Sequence, residues 1–232
     1  MKQAGCCSFC SSRFFMDGSM IERLDNGMTL RHGAFPLGTD TVLLAQFAAL
    51  PARARVADLG AGCGSLGVLL CKNAPDCAVT GVELDAAAHA LALENIRENG
   101  LEGRLTALHG DVRQIRALLP AAEFDCVVSN PPYFPVGSGR PAARVPAARD
   151  ERTLPLEALC AAAAWLLRQG GRFFLVHRAE RLCDLLCTLR ASGLEPKRLR
   201  LVRSTSGKTR LVLLEARRGG RPGLTVEPDQ LV

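Results

Sequence analysis

Residues 124–134 read FDCVVSNPPYF, an apolar run that leads straight into two consecutive prolines. A helix interior or a central strand does not accept that pair, because each proline has a locked φ and no N–H to donate. The stop has chemical uses. The side-chain carbonyl of Asn130 and the main-chain carbonyl of Pro131 are two hydrogen-bond acceptors. Pro131 and Pro132 fix the second of them and remove competing donors. Two acceptors aimed at the two hydrogens of a conjugated amine orient its lone pair and favour a pyramidal nitrogen. Tyr133, the single tyrosine of the chain, offers a planar face for stacking a base, worth roughly 1–3 kcal/mol in comparable sites, and Phe134 extends that platform. Adenine N6, cytosine N4, guanine N2 and a glutamine amide all fit such a clamp. The plain structural alternative is a proline turn leaving a strand.

Three further groups of residues have the right types for a ligand site. DLGAGCGSLG places Gly60, Gly62 and Gly64 shortly after Asp58. Glycines permit positive φ and let a ligand approach the backbone. The spacing is G-x-G-x-G, not the G-x-G-x-x-G of a dinucleotide fingerprint, and no G-K-[ST] of a phosphate loop is present. Glu83 follows about 20 residues later, where a carboxylate accepts from ribose hydroxyls. Asp111 can accept from an adenine amino group or cap the helix after it, and Asp85 reads as an N-cap. Together these residues suit an adenosyl group without pyrophosphate, with a charged amino-acid tail over the glycines.

The elements that position them alternate from residue 55 onward. RVADLG, AVTGVELD, LTALHGD, FDCVVSN and RFFLVH read as short apolar strands. LGVLLCKNA, AAAHALALENIRENG, VRQIRALL, LPLEALCAAAAWLLRQGG and AERLCDLLCTLRASG read as helices, the second closed by Asn99-Gly100. KRLRLVRS and TRLVLLEAR are two last strands separated by TSGK, which makes them antiparallel. This predicts an α/β fold with a mostly parallel seven-stranded sheet, helices on both faces and an antiparallel last strand. In such sheets the ligand lies beyond the carboxyl ends of the strands. Four consecutive strand ends carry Asp58 to Gly64, Glu83, Asp111 and Asn130 to Tyr133.

Composition narrows the setting. The 232 residues are 48% hydrophobic and 22% charged, with a formal net charge of +6, which fits one globular domain and a polyanionic partner. The expected organisation is a loose tail over 1–22 and a single domain over 23–232 that begins with a hairpin and helix at 23–50. The ten cysteines lack paired ligand spacing and read as structural thiols in a reducing compartment, with Cys183 and Cys187 on a buried helix face; no metal is expected. Cys6, Cys7 and Cys10 lack a fourth ligand nearby. No apolar run approaches the roughly 18 residues of a membrane span, and a cytoplasmic monomer is expected.

DLGAGCG, VELD, GD and NPPY, in this order and spacing, resemble class I S-adenosylmethionine-dependent methyltransferases of the amino-methylating kind, a Rossmann-like fold. RHGAFPLGTDTVLLAQFA, ARDE, LLRQGGRFFLVHRAERL, LEPKRLRLV and LVLLEARRGGRPGL narrow the resemblance to the bacterial tRNA (adenine-N6)-methyltransferase family that modifies valine tRNA beside the anticodon. It covers nearly all of the chain after residue 22. It implies that Thr39 and Asp40 help hold the methionine end of the cofactor. It likewise turns Asp58 and the three glycines toward the methionine moiety, Glu83 toward the ribose and Asp111 toward the adenine. Asp150 stands where that family carries a histidine, and PDQLV departs from its usual ending. Amine, methyl and sulfur must then lie in line, with fixed acceptors stabilising the transfer.

The substrate follows from what the chain does and does not contain. A release-factor glutamine methyltransferase would carry a helical domain ahead of the fold, and a sequence-specific DNA enzyme an added recognition domain. Arg140, Arg144, Arg149 and Arg152 follow the clamp directly. Lys197, Arg198 and further basic residues crowd the last two strands, where they serve either phosphates or an ordinary solvated face. The expected activity is methyl transfer from S-adenosylmethionine to adenine N6 of a tRNA, the base being flipped out of its stack. Alternatives are an rRNA guanine-N2 or other RNA amino-methyltransferase, a protein-glutamine methyltransferase, and a non-catalytic RNA-binding module.

Overall fold

A computed structural model describes residues 12–16, 19–24, 27–33, 37–131 and 154–232. Three strands come first: β1 (Ser12–Met16), β2 (Ser19–Arg23) and β3 (Thr29–His32). They pair antiparallel in the order β1-β2-β3. The expectation of a loose tail through residue 22 is therefore corrected for residues 12–16 and 19–22. The apolar alternation there is too short to announce strands, and the pairing of β1 with β2 and of β2 with β3 supplies what the local pattern lacks. Residues 1–11, with Cys6, Cys7 and Cys10, lie outside the described residues.

The main sheet and its helices then alternate: α1 (Thr39–Phe47), β4 (Arg55–Leu59), α2 (Ser65–Asn73), β5 (Ala78–Glu83), α3 (Ala86–Glu98), β6 (Leu105–His109), α4 (Ile115–Leu118), β7 (Phe124–Ser129), α5 (Leu156–Leu166), β8 (Leu167–Arg178), α6 (Leu182–Ala191), β9 (Leu194–Arg203) and β10 (Thr209–Arg218). Two short strands, β11 (Thr225–Val226) and β12 (Gln230–Leu231), follow. The sheet order is β11-β9-β10-β8-β7-β4-β5-β6, with β12 also on β9. Strands β4 to β8 are parallel to their neighbours in that block, and β10 is antiparallel to both β8 and β9. The seven long strands match the expectation. The sheet reaches nine because residues 225–226 and 230–231 lie parallel along β9.

The chain runs from β4 outward to β6 and returns to the other side of β4 as β7, so the order reverses between β4 and β7. A crevice opens at such a switch point, beyond the carboxyl ends of the strands. One face of the sheet packs Val42, Leu44 and Phe47 of α1 and Leu66, Leu69 and Leu70 of α2; the other packs Leu159 and Leu166 of α5 and Leu185 and Leu189 of α6. Burial on both faces explains why the central strands read as continuous apolar runs.

Local signals account for most boundaries. Asp85 caps α3 by accepting from the Ala88 N–H at 2.8 Å, and Gly100 ends it with φ +62°. The helix read through RQGG stops instead at Leu166, because Leu167 already pairs with Phe124 of β7. On α6 the buried positions are Leu185 and Leu189. Cys183 and Cys187, two positions earlier, point the other way and are exposed, a correction to the buried face expected of them.

Candidate active site

The ends of β4, β5, β6 and β7 bring the expected acidic and glycine residues together. The turn after β4 holds Gly60, Gly62 and Gly64 at φ +76°, +56° and +78°, a left-handed region that side chains avoid. A Cβ at Gly62 would meet nothing within 4 Å, so the loop leaves open space on that side. The Gly60 and Ala61 N–H groups both donate to the Val82 carbonyl at 3.0 Å, which curls the loop over the end of β5. There Glu83 accepts from the Gly62 N–H and the Asp85 N–H, each at 2.7 Å.

Asp58 lies beneath this loop, 1% exposed. Among the described residues its Oδ2 has no hydrogen-bond partner. Burial, and then the negative charge of Glu83, push its pKa up to about 7, against a smaller opposing pull from the Gly67 N–H. A buried carboxylate with an orphan oxygen is costly. Its natural complement is a cation, such as an amino-acid ammonium.

Asp111 is carried next to Glu83, because Glu83 pairs with His109 and the Gly110 N–H donates to the Glu83 carbonyl at 2.8 Å. Of the two readings of Asp111, the cap is the one seen. It accepts from the Arg113 N–H at 2.8 Å as a cap, and the Arg113 guanidinium holds it at 2.6 Å. That guanidinium keeps its carboxyl below the usual range. Next to Glu83 in the chain, Leu84 stands 46% exposed, with its carbonyl held by His109 Nε2 at 2.9 Å. An apolar side chain left in the open beside a carboxylate has the chemistry of a wall for a flat ligand. The VELD pattern contains it, but a single leucine gives no signal in a sequence.

On the other side of the switch point, Asp58 registers with Val128, and Asn130 lies two residues further on the same face. Ser129 Oγ donates to the Leu59 carbonyl at 2.7 Å, stitching β7 to β4. The Asn130 amide donates through Nδ2 to Thr41 Oγ1 at 2.9 Å, which turns its carbonyl oxygen away from Thr41. Pro131 is buried. Thr41 belongs to the first turn of α1, which also holds Thr39 and Asp40. Asp40 Oδ1 accepts from the Thr41 N–H at 2.9 Å. Thr41 was not among the expected site residues; the TDT run at a helix start was its only sequence signal. Nearby on β8, His177 is buried, and burial together with the charge of Arg181 holds its pKa down near 4, so it is a neutral imidazole.

Pro132, Tyr133, Arg140, Arg144 and Arg149 lie outside the described residues. Lys197 and Arg198 are on β9, three strands from β7, or about 14 Å at the usual spacing. Lys197 Nζ donates to the Arg221 carbonyl at 3.1 Å. Arg198, expected to serve either phosphates or a solvated face, is engaged within the fold. It donates to Glu215 at 2.5 Å and Glu227 at 2.7 Å and lies over the Phe47 ring at 4.5 Å. Arg200 joins Glu227 at 2.6 Å, and Arg203 pairs with Asp229. These cations pin the C-terminal segment along β9. Among the described residues no group of His, Cys, Asp and Glu is placed to hold a metal, and no helix is long and apolar enough to cross a membrane.

The methyltransferase small domain family matches residues 32–186. A tRNA1(Val) (adenine(37)-N6)-methyltransferase of Porphyromonas gingivalis is 33% identical over 181 residues, covering 75% of this chain and 71% of that protein. The protein of the same name from Dickeya chrysanthemi is 34% identical over 189 residues, covering 81% and 74%. Among solved structures, a protein from Agrobacterium tumefaciens described as a predicted O-methyltransferase aligns with a TM-score of 0.69 at 22% identity, over 83% of this chain and 87% of that one. Geranyl diphosphate C-methyltransferase from Streptomyces coelicolor, solved with S-adenosyl-L-homocysteine, aligns at 0.57 and 14% identity, over 77% and 79%. These two speak for the fold, and the curated relatives speak for descent. The chain belongs to the methyltransferase small domain family and, within it, to the family of the tRNA1(Val) (adenine(37)-N6)-methyltransferases.

Proposed function

We propose that the chain transfers the methyl group of S-adenosylmethionine to N6 of the adenine at position 37 of tRNA1(Val), with the site residues in the roles that follow. The residues present fit the cofactor. The orphan Oδ2 of buried Asp58 has the charge to receive its ammonium, the left-handed glycines leave room for its amino-acid end, Glu83 is placed for the ribose, and Leu84 with Asp111 for the adenine. The bound cofactor supplies an electrophilic methyl on a sulfonium sulfur. The chain's own work is to present the amine.

The observation that carries this reading is the bond from Asn130 Nδ2 to Thr41 Oγ1 at 2.9 Å. In this reading Thr41 holds the amide by its nitrogen end, and the side-chain carbonyl serves as an acceptor that need not reorganise when an amine arrives. The Pro131 carbonyl is the second acceptor in this account, and Tyr133 stacks the base. Adenine N6 is favoured over other amines by the names of the relatives, not by the clamp, which serves any conjugated amine. A matched general base is not required before attack, since the proton can leave after methyl transfer.

The test is Asn130→Ala assayed on tRNA1(Val) with labelled S-adenosylmethionine. The expected result is loss of turnover by a factor on the order of 100 or more, with cofactor affinity within a few-fold by calorimetry. Retained turnover sinks the role of Asn130. Loss of cofactor binding in parallel assigns it to the cofactor instead.

A further inference from the structure

The glycine loop is also held from outside the main sheet. Asn95 on α3 is fully buried, and its amide bridges two separate segments. Its Oδ1 accepts from the Arg31 N–H at 2.6 Å, and its Nδ2 donates to the Arg31 carbonyl at 3.0 Å and to the Cys63 carbonyl at 2.8 Å. Asn99, one helical turn later, makes the same two-way clamp on β3. Its Oδ1 accepts from the Thr29 N–H at 3.0 Å, and its Nδ2 donates to the Thr29 carbonyl at 2.7 Å. Four helical residues rise about 6 Å and two strand residues about 6.7 Å, so the two amides read β3 in step, as a neighbouring strand would. They differ in one arm. The second proton of Asn99 stays within its own helix, on the Asn95 carbonyl at 2.7 Å. That of Asn95 reaches the glycine loop.

That arm lands on a carbonyl that needs it. Cys63 lies between the left-handed Gly62 and Gly64, just ahead of α2. The Gly67 N–H, which could close a helical turn onto it, is turned to Asp58. A second contact joins the same partners: Cys63 Sγ is 3.5 Å from His32 Nδ1 of β3.

We infer that Asn95 is a positioning residue for the cofactor: it fixes the glycine loop to the N-terminal sheet through the Cys63 carbonyl. The inference rests on the loop being the cofactor site, as proposed above. Losing one buried donor to a loop carbonyl is expected to weaken cofactor binding about tenfold, without touching the amine clamp.

Asn99→Ala is the control, since it frees the equivalent pair of backbone groups on β3, those of Thr29, and leaves the loop alone. Asn95→Ala, with Asn95→Ser as the milder variant should the first not fold, is compared with it in the full chain by three readouts. These are amide exchange at Gly62 and Gly64 without ligand, affinity for S-adenosylmethionine by calorimetry, and steady-state kinetics on tRNA. The expected result is faster exchange at both glycines and a cofactor Kd and KM raised about tenfold for the Asn95 variants. kcat and the KM for tRNA stay within twofold, and Asn99→Ala keeps wild-type exchange and affinity. Equal effects from the two positions, or unchanged exchange for Asn95 variants, overturn the inference and leave the site reading intact. Faster exchange with unchanged cofactor affinity overturns both, because the loop would then not be where the cofactor is held.

Discussion

Asp58 puts a number on the cost of building this site. The buried carboxyl has its pKa pushed up to about 7 from an ordinary 3.8. An acid with a raised folded-state pKa keeps its proton in the folded protein across a window where the unfolded chain has already released it. Its burial therefore costs nothing below about pH 3.8, costs progressively more up to about pH 7, and stays constant above that. The window spans about three pH units at roughly 1.4 kcal/mol each, so the ionised carboxylate destabilises the cofactor-free protein by about 4 kcal/mol at pH 8. Asp58→Asn keeps the shape and an acceptor for the Gly67 N–H but cannot ionise. The variant is expected to melt higher than wild type at pH 8, by roughly 8–16 °C for a chain of this size, and the two curves should converge as pH falls toward 4. The assay is thermal unfolding by circular dichroism from pH 4 to 8, without cofactor. If Asp58 receives the cofactor's ammonium as proposed, affinity in the same variant should fall while stability rises. Parallel melting curves, or a variant less stable than wild type at pH 8, would refute the reasoning that burial of an unpaired charge is the dominant cost here.

Three other consequences can be measured directly. Thr41→Val removes the hydroxyl that orients the Asn130 amide; kcat should fall about tenfold with cofactor affinity within twofold, and an unchanged kcat would mean that the amide is set by something else. Glu83→Ala should weaken S-adenosylmethionine binding by at least about tenfold, read by calorimetry, and an unaltered Kd would remove Glu83 from the ribose. Arg198→Ala should destabilise the fold by roughly 1–3 kcal/mol in denaturant titrations while tRNA affinity stays within twofold. Arg140→Ala with Arg144→Ala should instead weaken tRNA binding and flatten its salt dependence. The reverse pattern would return the RNA surface to β9.

The chain order of strands and helices could be read from the sequence because the central strands are buried on both faces and helices such as α3, α5 and α6 bury one. Apolar runs and 3.6-residue periodicity survive at that level. The residues that end the strands were equally visible, since Asp58, Glu83, Asp111 and Asn130 interrupt apolar runs abruptly. What escaped were contacts made between distant segments. Nothing in ALENIREN says that Asn95 and Asn99 reach back about 65–70 residues to β3, because a buried asparagine and a solvated one look alike in a sequence. Thr41 escaped for the same reason. The pairing of Arg198 with Glu215 and Glu227 escaped as well, because a cation paired within the fold and a cation facing phosphates have the same local spelling. Cys183 and Cys187 show the remaining failure: a four-residue spacing finds a helix face, but which face is buried depends on whether leucines occupy the opposite one, as Leu185 and Leu189 do.

The most direct test of the central claim is methyl transfer. Bulk RNA from a strain lacking this gene would be incubated with the protein and labelled S-adenosylmethionine, then separated into tRNA and rRNA for nucleoside mass spectrometry. The account predicts N6-methyladenosine in a single tRNA, at the adenine of position 37, and its loss with Asn130→Ala. Label in rRNA, label as N2-methylguanosine, or no label in any RNA would contradict it.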